Sequence, residues 1–214
     1  MSNLSKRFAT SILLLLILYF AIINQIVLSI LLIIVSFFVL VELFNLNRKI
    51  FNKKNILFVI VYLISIIYLS LFFTQIYFFM IFDLNNRLLF LYLLSVCIAT
   101  DLGGYVCGKI FRGKKLTKIS PNKTYSGLIG SYLFSLTVFI FFYFYFNFAL
   151  NFIILTLIVS TISQLGDLFI SWLKRMAKVK DTGQVLPGHG GILDRIDGII
   201  FALPIGINLL IFFK

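Results

Sequence analysis

Acidic residues, histidine and cysteine are all scarce in this chain: 7 Asp and Glu stand against 19 Lys and Arg, with 1 His and 2 Cys, among 214 residues. A lone histidine with no second His or cysteine cluster beside it argues against a zinc site. Cys97 and Cys107 fall within or near one expected helix, at a spacing that suits neither a zinc pair nor a redox pair, and they read as small buried side chains. The shortage of acid leaves a net charge of +12, which on its own would suggest nucleic acid. The placement of the charge excludes that partner: Lys and Arg sit in short segments between apolar runs, and no RNA- or DNA-binding motif interleaves with them. Polar sequence is scarce too. Hydrophobic residues make up 61% of the chain and the mean hydropathy is +1.09, where a soluble domain averages about 45–50% apolar. A soluble core of this composition would lack the polar surface to cover itself. The chain shows no internal repeat and no separate soluble domain.

What is present is a series of long apolar runs, and a bilayer-spanning helix needs roughly 20 apolar residues. The expectation is an all-α polytopic integral membrane protein with about seven transmembrane helices, at 8–23, 26–46, 56–74, 88–110, 126–146, 149–170 and 196–213. The breaks are Asn24-Gln25, the polar stretch 47–55, the stretch 75–87 with Asp83 and Arg87, the basic stretch 111–125, Asn147, and the polar stretch 171–195. Residues 1–87 form an N-terminal group of helices. Residues 88–214 form a catalytic region with loops 111–125 and 171–195. Lys6-Arg7 followed by an apolar run resembles a signal peptide, but no small-x-small cleavage site follows, so this run reads as an uncleaved first helix. With the N-terminus in the cytoplasm, 17 of the 19 basic residues lie on the inner side and only Arg87 and Lys214 lie outside, as the positive-inside rule requires.

That orientation gathers the acids. Asp101, Asp167, Asp181, Asp194 and Asp197 all fall at or near the cytoplasmic ends of the last four spans, and only Glu42 and Asp83 lie elsewhere. Ionisable groups at membrane depth are costly and mark function. Asp194 and Asp197, at i, i+3, share one face of a helix; they complement the helix dipole there or hold a hard cation such as Mg²⁺ between them. Asp167, near the C-terminal end of its span, is unfavourably placed for the dipole and needs a partner, for which a metal and Lys174 are the candidates. Asp101 either pairs with Lys123 or serves as a ligand. Gly104 and Gly108 behind it have the small-x-x-x-small spacing of close helix packing, and the glycines also admit a homodimer. The turn P-G-H-G-G, residues 187–191, allows close approach of backbone to a ligand, and its N–H groups can cradle phosphate. His189 could bind phosphate, act as acid or base, or hold the loop. Two basic clusters, Lys114, Lys115, Lys118 and Lys123 on one loop and Lys174, Arg175, Lys178 and Lys180 on the other, suit anionic headgroups or polyphosphate. Carboxylates for Mg²⁺, cations for phosphates and glycines for close approach are together the chemistry of phosphoryl or nucleotidyl transfer.

The order of these residues resembles a known family. From Ser171 to Asp197 the chain reads S-W-L-K-R-M-A-K-V-K-D-T-G-Q-V-L-P-G-H-G-G-I-L-D-R-I-D. Every fixed element of the phosphatidate cytidylyltransferase (CDP-diacylglycerol synthase) signature is there: S-x-x-K-R, K-D, the P-G-H-G-G turn and D-R-x-D. T-D-L-G-G-Y-V-C-G-K, I-S-P-N-K-T-Y-S-G and S-Q-L-G-D-L are similar to further segments of that family, so the resemblance covers roughly residues 95–205. Ser126 stands where the family often has Glu, Asn122 where it often has Lys, and Gly104 in place of Ala; the Ser126 departure puts a carboxylate from that loop in doubt. The N-terminal half is short for the family.

The resemblance implies the reaction CTP plus phosphatidic acid to CDP-diacylglycerol plus pyrophosphate, in an integral protein of a bacterial inner membrane with a site facing the cytoplasm. It implies Mg²⁺, with a second, monovalent ion left open, held by Asp167 and Asp194 with Asp197 as a further ligand. It implies that Lys174, Arg175 and Lys180 clamp phosphates, that Asp181 binds metal or orients a lysine, and that His189 and Arg195 belong to the catalytic set. Ser120, Lys123, Thr124, Asp101, Gly188, Gly190 and Gly191 would serve substrate binding. A CDP-alcohol phosphotransferase is a poorer match, because Asp197-Gly198 runs into Ile-Ile-Phe-Ala and its motif fails. A CTP-dependent lipid kinase of the polyprenol type and a membrane transporter remain as rival readings, the latter opposed by the absence of repeated halves.

Overall fold

The computed structural model of the chain describes residues 13, 16–51, 56–117, 119–120, 123–185 and 190–213. Among these the regular structure is helical, and an isolated antiparallel bridge pairs Lys115 with Thr124. The helices are α1 (Gln25–Ile50), α2 (Ile56–Phe82), α3 (Leu84–Phe111), α4 (Tyr125–Phe146), α5 (Phe152–Met176), the single turn α6 (Leu193–Ile196) and α7 (Ile199–Leu209), which runs into a 3₁₀ turn at Leu210–Phe212. Five helices, α1 to α5, are long and apolar enough to cross a membrane. Their outward faces carry large apolar side chains, such as Ile33 and Leu71 at 67% and 63% exposure, which water would not tolerate and lipid does. The chain is an integral membrane protein.

Of the seven expected spans, 26–46, 56–74, 88–110, 126–146 and 149–170 correspond to these five. The first, 8–23, lies largely outside the described residues, with 16–23 helical. The last, 196–213, is shorter than expected: the helix proper begins at Ile199, after a turn at Asp197 and Gly198. The stretch 75–87, expected as a polar break, is almost wholly helical. α2 runs on to Phe82, Asp83 alone interrupts, and Arg87 lies inside α3. The polar stretch 171–195 likewise begins inside α5, which continues to Met176.

Helix ends follow local chemistry. Asn24 caps α1, its Oδ1 accepting from Ile26 N–H at 2.8 Å. Asn147 ends α4 in the left-handed conformation at φ 54°, a place where asparagine substitutes for glycine. Lys174 and Arg175 in the last turn of α5 complement its dipole.

The described chain divides into two compact units, each treated by itself: one holds the residues up to Leu84 with Leu173–Ile196, the other Asn85–Trp172 with Asp197 onward. In the first, α1 and α2 form a hairpin stapled by aromatic contacts of Phe44 with Phe58 and Tyr62, ring centroids 5.5 and 5.1 Å apart. In the second, α3, α4 and α5 are tied by buried polar contacts: Thr100 Oγ1 donates to Ser160 Oγ at 2.9 Å, and Ser131 Oγ to the Thr100 carbonyl at 2.8 Å. Such bonds join helices that have no hydrophobic driving force between them in lipid. The backbones of α3 and α4 touch where Gly103, Gly104 and Gly108 meet Gly127 and Gly130. The glycines that admitted a homodimer are thus taken up by a crossing within one chain. A Cβ on Gly130 would overlap Cys107 Cβ and stand 2.5 Å from its Sγ. Gly130→Ala should therefore force the crossing open at about 1–3 kcal/mol and lower the melting temperature in detergent by several degrees; an unchanged melting curve would show that the crossing is not under this constraint.

Candidate active site

In the second unit, the segment after α3 doubles back on itself. Leu116 N–H donates to the Lys123 carbonyl at 2.7 Å and Tyr125 N–H to the Lys114 carbonyl at 3.1 Å. Thr124 then caps α4, its Oγ1 accepting from Gly127 N–H at 3.1 Å. Ser126, where a carboxylate was in doubt, donates instead to the Arg112 carbonyl and helps close the loop. This fold-back delivers Lys123 to Asp167 on α5, where Nζ and Oδ2 are 2.5 Å apart. Asp167 Oδ1 also accepts from Ser171 Oγ at 3.3 Å.

Around that ion pair opens a cavity of about 280 Å³ whose wall includes Asp101, Tyr105, Ser120, Lys123, Thr124, Gln164 and Asp167. The partner expected for Asp167 among the side chains was Lys174, and that expected for Asp101 was Lys123. The ion pairing differs because the returning loop presents Lys123 to α5, and Asp101 faces the same cavity from α3. Immediately before Asp167, Gly166 together with Gly198 lets α5 and the start of α7 approach closely: a Cβ on Gly166 would stand 3.0 Å from the Asp197 carbonyl.

Asp197 itself corrects a second expectation. It does not share a helix face with Asp194, because α6 ends at Ile196. Asp197 Oδ1 accepts its neighbour's N–H, Gly198 N, at 2.9 Å, a local bond with which aspartate competes against helix continuation.

In the first unit the centre is Asp194. Lys174 Nζ, from the end of α5, donates to its Oδ1 at 2.8 Å. Its Oδ2 accepts from Thr182 N–H at 2.8 Å, Gly191 N–H at 3.0 Å and Thr182 Oγ1 at 3.0 Å. Burial pushes this carboxyl up, but the Lys174 bond and the two backbone N–H groups outweigh it and hold it below the usual 3.8. Gly190 takes φ +82°, a conformation that favours glycine, and a Cβ there would stand 3.0 Å from Asp194 Oδ2. The N–H of Gly191, expected to cradle phosphate, is thus engaged by a carboxylate of the protein.

Asp181 lies beside Gly190 and is exposed, as are Lys180, Arg175 and Arg195. Arg175 Nη1 donates to the Val179 carbonyl at 3.4 Å. His189 and Gly188 lie outside the described residues, as do Lys118 and Asn122.

One residue of this unit was missed by the sequence reading. Glu42, on α1, is 2% exposed. Its Oε2 accepts from Thr182 Oγ1 at 2.7 Å and Leu193 N–H at 2.9 Å, and its Oε1 from Ile192 N–H at 2.9 Å. The available signal was its position, an acid within an apolar span, which carries a cost that needs a reason.

The chemistry of the cavity's donors fits a hard divalent cation: Asp101, Asp167 and Gln164 supply oxygen, and no sulfur or imidazole lines the wall among the described residues; among those residues no three His, Cys, Asp or Glu side chains form a metal-holding group by themselves.

A helical membrane protein with lysine–aspartate pairs built from signature segments is the class these features define. A family model described as "Cytidylyltransferase family" matches residues 5–213, and the chain belongs to that family. It is similar to the phosphatidate cytidylyltransferase of Staphylococcus haemolyticus, 46% identical over 125 residues that cover 56% of this chain and 48% of the relative. The Staphylococcus aureus protein of the same name gives the same identity and coverage. That of Brucella melitensis is 40% identical over 114 residues, 52% of this chain and 42% of the relative. The chain spans about half the length of the curated relatives it matches.

Proposed function

We propose that the protein transfers the cytidylyl group of CTP to phosphatidic acid, giving CDP-diacylglycerol and pyrophosphate. The observation that carries this reading is the Lys123–Asp167 pair on the wall of a cavity most of whose polar lining comes from three signature segments, with Asp101, Ser120, Thr124 and Gln164 around it. The names of the relatives support the substrates. The grouping of Lys and Arg supports a cytoplasmic N-terminus and a cytoplasm-facing site, and the bacterial sources of the relatives support residence in a bacterial inner membrane.

A phosphate oxygen of phosphatidate attacks the α-phosphorus of CTP. The new P–O bond forms as the bond from the α-phosphorus to the bridging oxygen breaks, and its electron pair leaves with pyrophosphate. The nucleophile is already anionic, so no general base is required. In the second unit Asp167, with Asp101 on the same cavity wall, would hold Mg²⁺, with Asp197 as a further candidate; in the first unit Asp194 is the carboxylate that the family resemblance assigns to it. Mg²⁺, when bound, offsets charge on the phosphate oxygens and the leaving group. Lys123 and Lys174 counter phosphate charge where substrate meets their carboxylate partners. Arg175, Lys180 and Arg195 are exposed cations on the same polar segment as Asp194. Arginine can grip phosphate through two parallel bonds.

The test uses purified protein in mild detergent with phosphatidic acid, Mg²⁺ and CTP labelled on the α-phosphate. Label is expected to move into the organic phase, and Asp167→Asn is expected to stop it. Transfer from γ-labelled CTP to a lipid alcohol instead would replace this reading by a lipid kinase, and movement of neither label by folded protein would refute both.

A further inference from the structure

We propose that Glu42 is a positioning residue for Asp194: from a membrane helix remote in sequence, its carboxylate fixes Thr182 and the 191–193 turn around that aspartate. The proposal rests on the nucleotidyl-transfer reading above and adds to it a residue outside every signature segment.

Glu42 is buried at 2% exposure, in a span that is otherwise mostly apolar. A carboxylate in that place needs a compensating set of donors, and it has one. Both oxygens are engaged, by two consecutive backbone N–H groups, Ile192 and Leu193, and by the Thr182 hydroxyl. The N–H groups belong to the entry of α6, the turn that carries Asp194. Backbone N–H groups bond a carboxylate more strongly than a neutral acceptor, and Glu42 supplies that carboxylate from another helix.

The Thr182 hydroxyl joins the two acids. It lies 2.7 Å from Glu42 Oε2 and 3.0 Å from Asp194 Oδ2. A hydroxyl has a single proton to donate, so the two carboxylates share one donor, and the position of each depends on the other. The surrounding chain is shaped to the Glu42 head group as well. A Cβ on Gly183 would stand 2.8 Å from Oε1, and one on Gly191 2.5 Å from Oε2. Two glycines therefore close over Glu42 where any side chain would push it away. The last glycine of the P-G-H-G-G turn has a clear task here: it allows the backbone to pass between Glu42 and Asp194.

Groups that orient a metal-binding carboxylate typically matter by about 10–100-fold in metal affinity or activity. Glu42→Gln keeps shape but replaces one acceptor oxygen with a donor, facing either the Ile192 N–H or the Leu193 N–H and Thr182 hydroxyl. Thr182→Val keeps shape and removes the shared hydroxyl. Each is expected to raise the Mg²⁺ concentration for half-maximal transfer about tenfold. The double variant should be no more than about twofold worse than the stronger single one, because both changes break the same link. A general loss of packing would multiply instead of saturating, and would not change the Mg²⁺ requirement selectively.

The second readout is independent of activity. Backbone hydrogen exchange at Ile192 and Leu193 should quicken by about tenfold or more in Glu42→Gln, since the acceptor for both N–H groups is weakened. If both variants keep the wild-type Mg²⁺ requirement and Glu42→Gln keeps the wild-type exchange, the proposal is overturned while the functional reading stands. If wild-type protein transfers no cytidylyl group, that reading falls, and the exchange comparison still decides whether Glu42 anchors the segment. Should Glu42→Gln fail to fold, Thr182→Val and its Mg²⁺ requirement decide.

Discussion

Asp194→Asn should reduce lipid labelling from α-labelled CTP by at least about 100-fold, because the change removes a carboxylate that is proposed to hold the cation and that is bonded to Lys174, Thr182 and Gly191. It should weaken the fold at the same time. The side chains of Lys174 and Asp194 are 13% and 7% exposed, and removing one partner of a buried pair costs about 3–5 kcal/mol, since the other charge is left without compensation. Lys174→Met together with Asp194→Asn should recover part of that stability and none of the activity. This contrast separates an electrostatic cost from a catalytic one. Melting curves in detergent and the label assay, run on the same preparations, check both. A single variant with wild-type turnover would remove Asp194 from the site.

The same residue sets a dependence on pH. Its carboxyl lies below the usual 3.8 in the folded chain. The stabilisation is therefore complete above the unfolded value and is lost as pH falls through the lower, folded one. Wild-type protein should lose stability below about pH 4 in a way that Asp194→Asn does not.

Gly191→Ala is the other substitution with a large expected effect. Its Cβ would overlap Thr182 Oγ1 and stand 2.5 Å from Glu42 Oε2. Neither neighbour can yield easily, because Thr182 is 8% and Glu42 2% exposed, and each is bonded to a second element. The added methyl group should therefore displace the Thr182 hydroxyl from Asp194 and the Gly191 N–H with it. About 1–3 kcal/mol of stability is at stake by overpacking alone. Transfer should fall by about tenfold or more as Asp194 loses its fixed direction. A glycine of the other unit provides the comparison. Gly113→Ala, at φ 112°, strains a loop residue whose nearest side-chain contact is Ser126 Oγ at 3.8 Å, so it should cost stability with far less loss of transfer. Equal losses of transfer in the two variants would argue that general loop strain, and not the crowding of Glu42 and Thr182, is responsible.

Particular residues show how far the sequence could be read. The five long spans were legible because each is a long, mostly apolar run, with local signals such as Asn24 before α1 and Asn147 after α4 marking ends. The stretch 75–87 misled because Asp83 and Arg87 read as a polar loop. In the fold the chain breaks at Asp83 only, and helix carries on at either side. The Asp194–Asp197 pair misled for a different reason. The spacing i, i+3 shares a face only while a helix lasts, and Asp197 engages the N–H of Gly198 just after the helix has ended.

The sequence by itself determined the class of molecule, the five long membrane helices and most of the polar residues that line the cavity. Those follow from composition and from motifs within short stretches, where backbone hydrogen bonding and burial are decided locally. Only the tertiary structure decided which charge meets which. Lys123 goes to Asp167 because a loop folds back across α5, and Lys174 goes to Asp194 because the chain turns after α5 ends. Glu42 reaches partners 140 to 151 residues away along the chain. Coulomb attraction and hydrogen bonds act over a few ångströms of space, whatever the separation in sequence, and the packing of the helices sets those distances.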